Sequence, residues 1–440
     1  MKNKKWMAIL LGGIMAASLA APCSVSAAEK TTLTFWHAMG GTNGEVLQQI
    51  VDDFNASQDE IEVKAEYQGT YDDTITKLKA AMQSDSGLPD VCQMYDVGTK
   101  FMYDSGAVIP VEDKFESTGY DKSSVMEVIS SYYTVDGKQY AMPFNVSTPM
   151  LYYNKDVFEA AGLDPETPPT TYDEVLEDAK KIVESGAAPV GYSQAIYGWF
   201  FEQQLAGLGV TYGNNDNGRT EAVTAVDFDS NGGGLKVFDM WKKLYDSGYF
   251  EDYGTTTADT QTAFFSGQVG MIIESTAILK NAVDSSPFEV GTGYLPRIEQ
   301  NDEGGVIIGG GSLWLTDTGN EANEDAAWKF IEYITTPDVQ AKWSMGTGYF
   351  AINEKAYETD DMKAYLEENP NFETAINQLK DSPVNCNTAG VLSGVQTEAR
   401  LTFNEIMPQV YDGKLTTQDA VDQLAASVNK AIENYNESIK

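Results

Sequence analysis

The sequence predicts an α/β chain folded as two lobes, and three observations carry that prediction. Strands and amphipathic helices alternate between Thr32 and Met94 with short loops, the pattern of a mainly parallel sheet covered on both faces. At 440 residues the chain exceeds one ordinary core, so two lobes of about 150–200 residues each are expected. Glycines also break two later apolar runs, Gly309-Gly310-Gly311 and Gly346-Thr347-Gly348, as chain crossings do.

Composition bounds the function. With 42% apolar and 11% aromatic residues the chain fills such cores. It carries 29 basic against 66 acidic residues, a net charge of −37. Nucleic-acid binding draws on basic groups that neutralise phosphates, so it is not expected here. Only three arginines occur, Arg219, Arg297 and Arg400, and any of them placed in a cleft is a candidate for an anionic or hydroxylated ligand. A single histidine and no paired cysteine motif argue against a zinc site.

The N-terminus reads as an export signal. Lys2, Lys4 and Lys5 precede the apolar run Trp6 to Ala21, and Ser24-Val25-Ser26-Ala27-Ala28 supplies small residues for cleavage. The mature chain then starts near Ala28 or Glu29, and loss of three lysines takes its charge from −37 to −40. Cys23 offers a second outcome, lipidation and tethering, although Pro22 departs from the small residue that site prefers. Cys92 and Cys386 remain after cleavage, and spacing leaves open whether they are bridged or free.

In order, Thr32 to Trp36 alternates as a strand, and Gly40, Gly41 and Gly44 lead into a helix burying Val46, Leu47, Ile50, Val51 and Phe54. Ile61 to Tyr67 is the next strand, Asp72 to Gln83 a helix, and Asp90 to Met94 a third strand. Ligands in such sheets bind beyond the carboxyl ends of strands, which singles out the segments after Trp36, Tyr67 and Tyr95. Asn145 to Pro149 is polar and extended. Leu151 to Asn154 is an aromatic strand, and its short following helix stops at Gly162 and Pro165. Thr171 and Glu174 form a capping box that starts a helix through Ile182. Tyr192 to Gly209 is rich in aromatics, with Trp199 a candidate platform facing a cleft. Helices follow over Leu235 to Ser247 and Thr260 to Ser266, then a buried strand after Gly270. Helical spacing returns from Glu324 to Ser344, interrupted by Pro337, and again from Thr417.

Several of these stretches together resemble one family: Phe35-Trp36-His37, Asn145-Val146-Ser147-Thr148-Pro149 with Tyr152-Tyr153-Asn154-Lys155, Gly162-Leu163-Asp164-Pro165, Gly309-Gly310-Gly311-Ser312-Leu313-Trp314 and Thr347-Gly348-Tyr349. In this order they are similar to the extracellular solute-binding proteins of ABC importers, in the sugar-type group and nearest its glycerol-3-phosphate binders. The resemblance implies a two-lobed periplasmic-binding-protein-like fold of type II with a ligand cleft between the lobes. It divides the chain into a signal peptide (1–28), lobe 1 (29–143 and 311–347) and lobe 2 (144–310 and 348–440).

Carried over position by position, the resemblance implies ligand contacts at Tyr71, Asp96, Ser147, Ser275, Gly310, Tyr349 and Arg400; Trp199, read from its own aromatic stretch, joins them as a platform facing the cleft. Arg400 and Tyr349 would hold a phosphate, aided by Ser147, Ser275 and the Gly310 amide. Asp96 and Tyr71 would meet glycerol hydroxyls. Asp96 is shorter than the family's glutamate, and Ile196-Tyr197-Gly198-Trp199 lacks the family's second tryptophan. The partners implied are a small-molecule solute and a membrane permease, with the protein a monomer, exported to the periplasm or cell surface, and needing no cofactor. The solute is glycerol 3-phosphate or a related glycerophosphoryl compound, with an uncharged sugar as the alternative. A secreted carbohydrate-active enzyme would need two carboxylates flanking a sugar bond, and no such pair stands out.

Overall fold

The computed structural model describes residues 30–84 and 87–439, so the expected signal segment and Cys23 lie outside the described residues. Its strands are β1 (Thr31–His37), β2 (Ile61–Tyr67), β3 (Val91–Tyr95), β4 (Val108–Ile109), β5 (Thr134–Val135), β6 (Lys138–Gln139), β7 (Met142–Ser147), β8 (Pro149–Asn154), β9 (Val190–Ser193), β10 (Val269–Ser275), β11 (Val290–Gly293) and β12 (Gly309–Thr316). They build two principal sheets. The first runs β2-β1-β3-β12-β4, with β7 also on β12, and the second runs β11-β8-β10-β9.

The first sheet starts as the alternation of strand and helix predicts. β1 pairs in parallel with β2 and β3, and the helices Gly41–Ser57 and Tyr71–Met82 connect them. Leu47, Ile50, Val51 and Phe54 are the buried face of the first helix. The sheet is not mainly parallel throughout, because β12 arrives from more than two hundred residues beyond β3 and β4 and pairs antiparallel with both, and with β7 as well. Nothing in the local pattern of Val306 to Leu315 encodes the direction in which it enters a distant sheet. The second sheet is also mixed, with β8 antiparallel to β10 and β11, and β10 parallel to β9.

β8 shows how one strand serves two cores. Its alternate residues Met150 and Tyr152 join the core that spans the first sheet, while Leu151 and Tyr153 join the core of the second lobe with Met271, Ile273, Trp241 and Phe403. Burial of each such large side chain contributes roughly 1.5–3 kcal/mol. The capping box at Thr171 and Glu174 is formed, opening the helix Tyr172–Ser185. Pro337 sits in the first turn of its own helix, Pro337–Thr347, so the helical stretch after Glu324 is two helices. Asn214 to Gly218 is a left-handed turn with positive φ at Asn215, Asp216, Asn217 and Gly218. Cys92 and Cys386 are both free.

Among the described residues, three segments join the lobes. β7 of the first sheet passes through Thr148 into β8 of the second, residues 294–308 return from β11 to β12, and residues 348–370 leave the helix Pro337–Thr347 for the helix Asn371–Asp381 beside β11. Thr148 is fully buried; its amide donates to Thr276 Oγ1 at 3.1 Å and its carbonyl accepts from the Thr276 amide at 2.8 Å. The Gln378 side-chain amide donates to the Pro149 carbonyl at 2.7 Å, tying the helix that follows the third crossing to the end of the first.

Candidate functional site

Where the crossings meet, Asn145 is a fully buried hub. Its Nδ2 donates to the Tyr71 hydroxyl at 2.6 Å and its Oδ1 accepts from Gln93 Nε2 at 2.6 Å. Its carbonyl faces Gly310, where an added Cβ would lie 1.8 Å away; with φ at +94°, only glycine fits there. Tyr71 stacks on Tyr95 with ring centroids 5.1 Å apart, and Tyr349 stacks on Trp343 at 5.6 Å. Burial, the neighbouring Tyr349 and the Asp96 charge hold the Tyr71 phenol well above its ordinary pKa, and burial raises Tyr349 too. Both stay neutral hydroxyls, able to donate as well as accept.

The second part of the site crosses the boundary between lobes. Asp96 follows β3 in the first lobe, and Arg400 lies on the helix Gln396–Tyr411 of the second. Arg400 Nη2 donates to Asp96 Oδ2 at 2.7 Å. The same guanidinium grips Glu202 through Nε at 2.8 Å and Nη2 at 2.7 Å, a two-pronged pair. All three side chains are buried: Asp96 is 5%, Glu202 7% and Arg400 8% exposed. Burial by itself would lower the Arg400 pKa, but the two carboxylates more than offset it and keep the guanidinium charged. Gln396 Nε2 adds a bond to Glu202 Oε1 at 3.0 Å, and the Tyr197 ring lies 5.9 Å from the guanidinium.

Close packing makes this possible. At Gly198, an added Cβ would sit 2.5 Å from the Arg400 Cα, so the helices Gly198–Gly207 and Gln396–Tyr411 approach backbone to backbone. Trp199, on the first of these helices, is 5% exposed, and its indole N–H has no partner among the described residues. Its ring covers Gly309, where a Cβ would meet the ring at 2.7 Å. A second lobe-to-lobe bond joins the Tyr95 and Thr397 hydroxyls at 2.7 Å.

Of the residues singled out in the sequence, Tyr71, Gly310 and Tyr349 gather around Asn145, and Asp96 and Arg400 bond across the boundary. Trp199 and Ser147 flank Gly309, which pairs with Ser147 across β7 and β12. Ser275 lies beside Pro149 in the β8–β10 pairing, and its hydroxyl accepts from the Ala277 amide, capping its own turn. Two residues escaped sequence reading, Asn145 and Glu202. The signal for Glu202 was a lone carboxylate in the apolar run Trp199-Phe200-Phe201-Glu202, a position that burial forbids unless a cation pairs with it. The lone histidine, His37, is buried away from these contacts against Phe35 and Tyr67.

Residues 49–374 match the family described as "Bacterial extracellular solute-binding protein". The chain is 31% identical to the sn-glycerol-3-phosphate-binding periplasmic protein UgpB of Escherichia coli strain K12, over 93% of this chain and 94% of that one. Among solved structures, the cyclic alpha-maltosyl-1,6-maltose binding protein of Arthrobacter globiformis superposes with a TM-score of 0.77 at 26% identity, covering 92% of this chain and all of that one. UgpB of Mycobacterium tuberculosis, solved with glycerophosphocholine, superposes with a TM-score of 0.79 at 20% identity over 93% of this chain, which shows the shared two-lobed fold. Proteins of this kind bind and hand over a solute and catalyse no reaction, and no helix among the described residues is long and apolar enough to cross a membrane. The chain belongs to the bacterial extracellular solute-binding proteins and is the substrate-binding component of an ABC importer.

Proposed function

We propose that this protein captures glycerol 3-phosphate or a related glycerophosphoryl compound between its lobes and delivers it to a membrane permease. The observation that carries the reading is the convergence of Arg400 and Asp96 from opposite lobes, beside the hydroxyl-bearing cluster of Tyr71, Asn145 and Tyr349. A ligand there replaces lobe-to-lobe contacts with its own, so binding and closure are one event. The 31% identical relative is named for binding sn-glycerol 3-phosphate, which supports the same ligand class here. Arg400 and Tyr349 meet the phosphoryl group, with Ser147, Ser275 and the Gly310 amide. Asp96 and Tyr71 meet the glycerol hydroxyls, and Trp199 offers its ring and free N–H. Lobe 1 comprises 29–143 and 311–347, and lobe 2 comprises 144–310 and 348–440. The protein works as a monomer, exported by cleavage near Ala28, with a lipid tether at Cys23 as the alternative anchor.

One observation favours a second reading, an uncharged sugar. Two carboxylates already engage Arg400, which neutralises its charge and leaves carboxylate oxygens to accept from sugar hydroxyls. The 26% identical maltosyl-maltose binder supports it. A thermal-shift screen of the mature protein against glycerol 3-phosphate, glycerophosphocholine and maltooligosaccharides tests both. A rise in melting temperature with a glycerophosphoryl compound alone supports the first reading. A rise with maltooligosaccharides alone replaces it with the second.

A further inference from the structure

Arg400 does not offer an empty fork. One two-pronged edge of the guanidinium, Nε with Nη2, is turned onto Glu202 at 2.8 and 2.7 Å and is not open to a phosphate. Asp96 takes a further bond from Nη2 at 2.7 Å. These two carboxylates differ in permanence. Asp96 stands on the opposite lobe and departs when the lobes separate. Glu202 stands on the helix whose Gly198 lies against the Arg400 backbone, so it stays with Arg400 in open and closed forms alike. Gln396 pins it in place with a bond at 3.0 Å. The cluster therefore carries no net charge with Asp96 away and one net negative charge with Asp96 engaged.

We propose that Glu202 is a positioning residue that sets how much negative charge the cleft accepts in its ligand. Resting on the glycerophosphoryl reading, the proposal adds the reason for a preference within that class. In this buried cluster, with a low effective dielectric, each unbalanced charge on a ligand is felt strongly. A phosphomonoester, a dianion once its second pKa near 6 is passed, meets no surplus positive charge to balance it. A ligand whose phosphate is a single charge, balanced elsewhere on the molecule, adds no net charge to the cluster and is tolerated. Glu202 thus selects by exclusion, since its carboxylate penalises the competitor rather than touching the solute.

The test is calorimetric titration of the mature wild-type protein and Glu202→Gln with two probes sharing the glycerol moiety, glycerol 3-phosphate and glycerophosphocholine. Wild type is expected to bind the zwitterionic probe about tenfold more tightly or better, and Glu202→Gln, nearly the same shape, to narrow that ratio by about tenfold. Tighter or equal binding of the dianion by wild type overturns the proposal, and that comparison stands whether or not the variant folds. An equal change in both affinities in a folded variant also overturns it, assigning Glu202 a purely structural part while leaving the glycerophosphoryl reading intact. If wild type binds neither probe, the glycerophosphoryl reading fails and the proposal with it.

Discussion

At the scale of single residues, Arg400 combines two duties that pull in different directions for mutagenesis. It is the cation of the site and, among the described residues, the one cation paired with Glu202, which sits buried in an apolar helix. Removing one partner of a buried ion pair leaves an uncompensated charge and costs about 3–5 kcal/mol. Arg400→Ala is therefore expected to lose stability on that order along with ligand binding, measured by urea denaturation; unchanged stability would mean that water reaches Glu202. A second residue reports on pH. Burial lowers His37 from the usual 6.5 to about 4, so its neutral form is favoured in the fold. The stabilisation is present above pH 6.5 and is lost as pH falls toward 4, where the unfolded chain protonates first. The loss is on the order of 2 kcal/mol, below the full value because the ring is not wholly shielded from solvent. Melting curves from pH 7 to 4.5 are expected to show that slope, and His37→Gln to flatten it.

At the scale of elements, the helix pair Gly198–Gly207 and Gln396–Tyr411 positions half of the site. Gly198→Ala would place a methyl 2.5 Å from the Arg400 Cα, against backbone that cannot rotate away. The helices must part, costing about 1–3 kcal/mol and pulling Arg400 from Asp96, so affinity is expected to fall with stability. Titration together with denaturation checks both, and retained wild-type affinity would dissociate the packing from the site. The same pair shows what was legible in the sequence. Helix and strand positions from Thr31 to Tyr95 follow from local periodicity, and the capping box at Thr171 and Glu174 from spacing alone. The Arg400–Glu202 bond joins residues 198 positions apart, and the antiparallel entry of β12 joins residues more than two hundred apart. Such pairings depend on tertiary register, on which local patterns are silent. Glycine at Gly310 was legible as a special backbone position, while its reason, the Asn145 carbonyl, was not.

At the scale of the whole molecule, two mixed sheets are joined by three crossings, and the candidate site lies where those crossings meet. β7 and β12 carry Asn145, Ser147 and Gly310 to the boundary from one side, while the paired helices bring Trp199, Glu202 and Arg400 from the other. The lobes are bonded at the site by Arg400 to Asp96 and Tyr95 to Thr397, and elsewhere by Tyr435 to Asp104 and Arg219 to the Tyr132 carbonyl. A balance of that kind is readily shifted by a solute that bonds to both sides. Backbone amides in the crossings should then exchange with solvent in the free protein and be protected in the complex. Hydrogen–deuterium exchange of the mature protein, with and without a solute that binds it, tests this directly. The expected result is new protection concentrated at residues 145–149, 309–311, 347–350 and the first turns of the helices bearing Glu202 and Arg400. Saturating solute that leaves those segments unchanged, or protects a different surface, would contradict capture between the lobes.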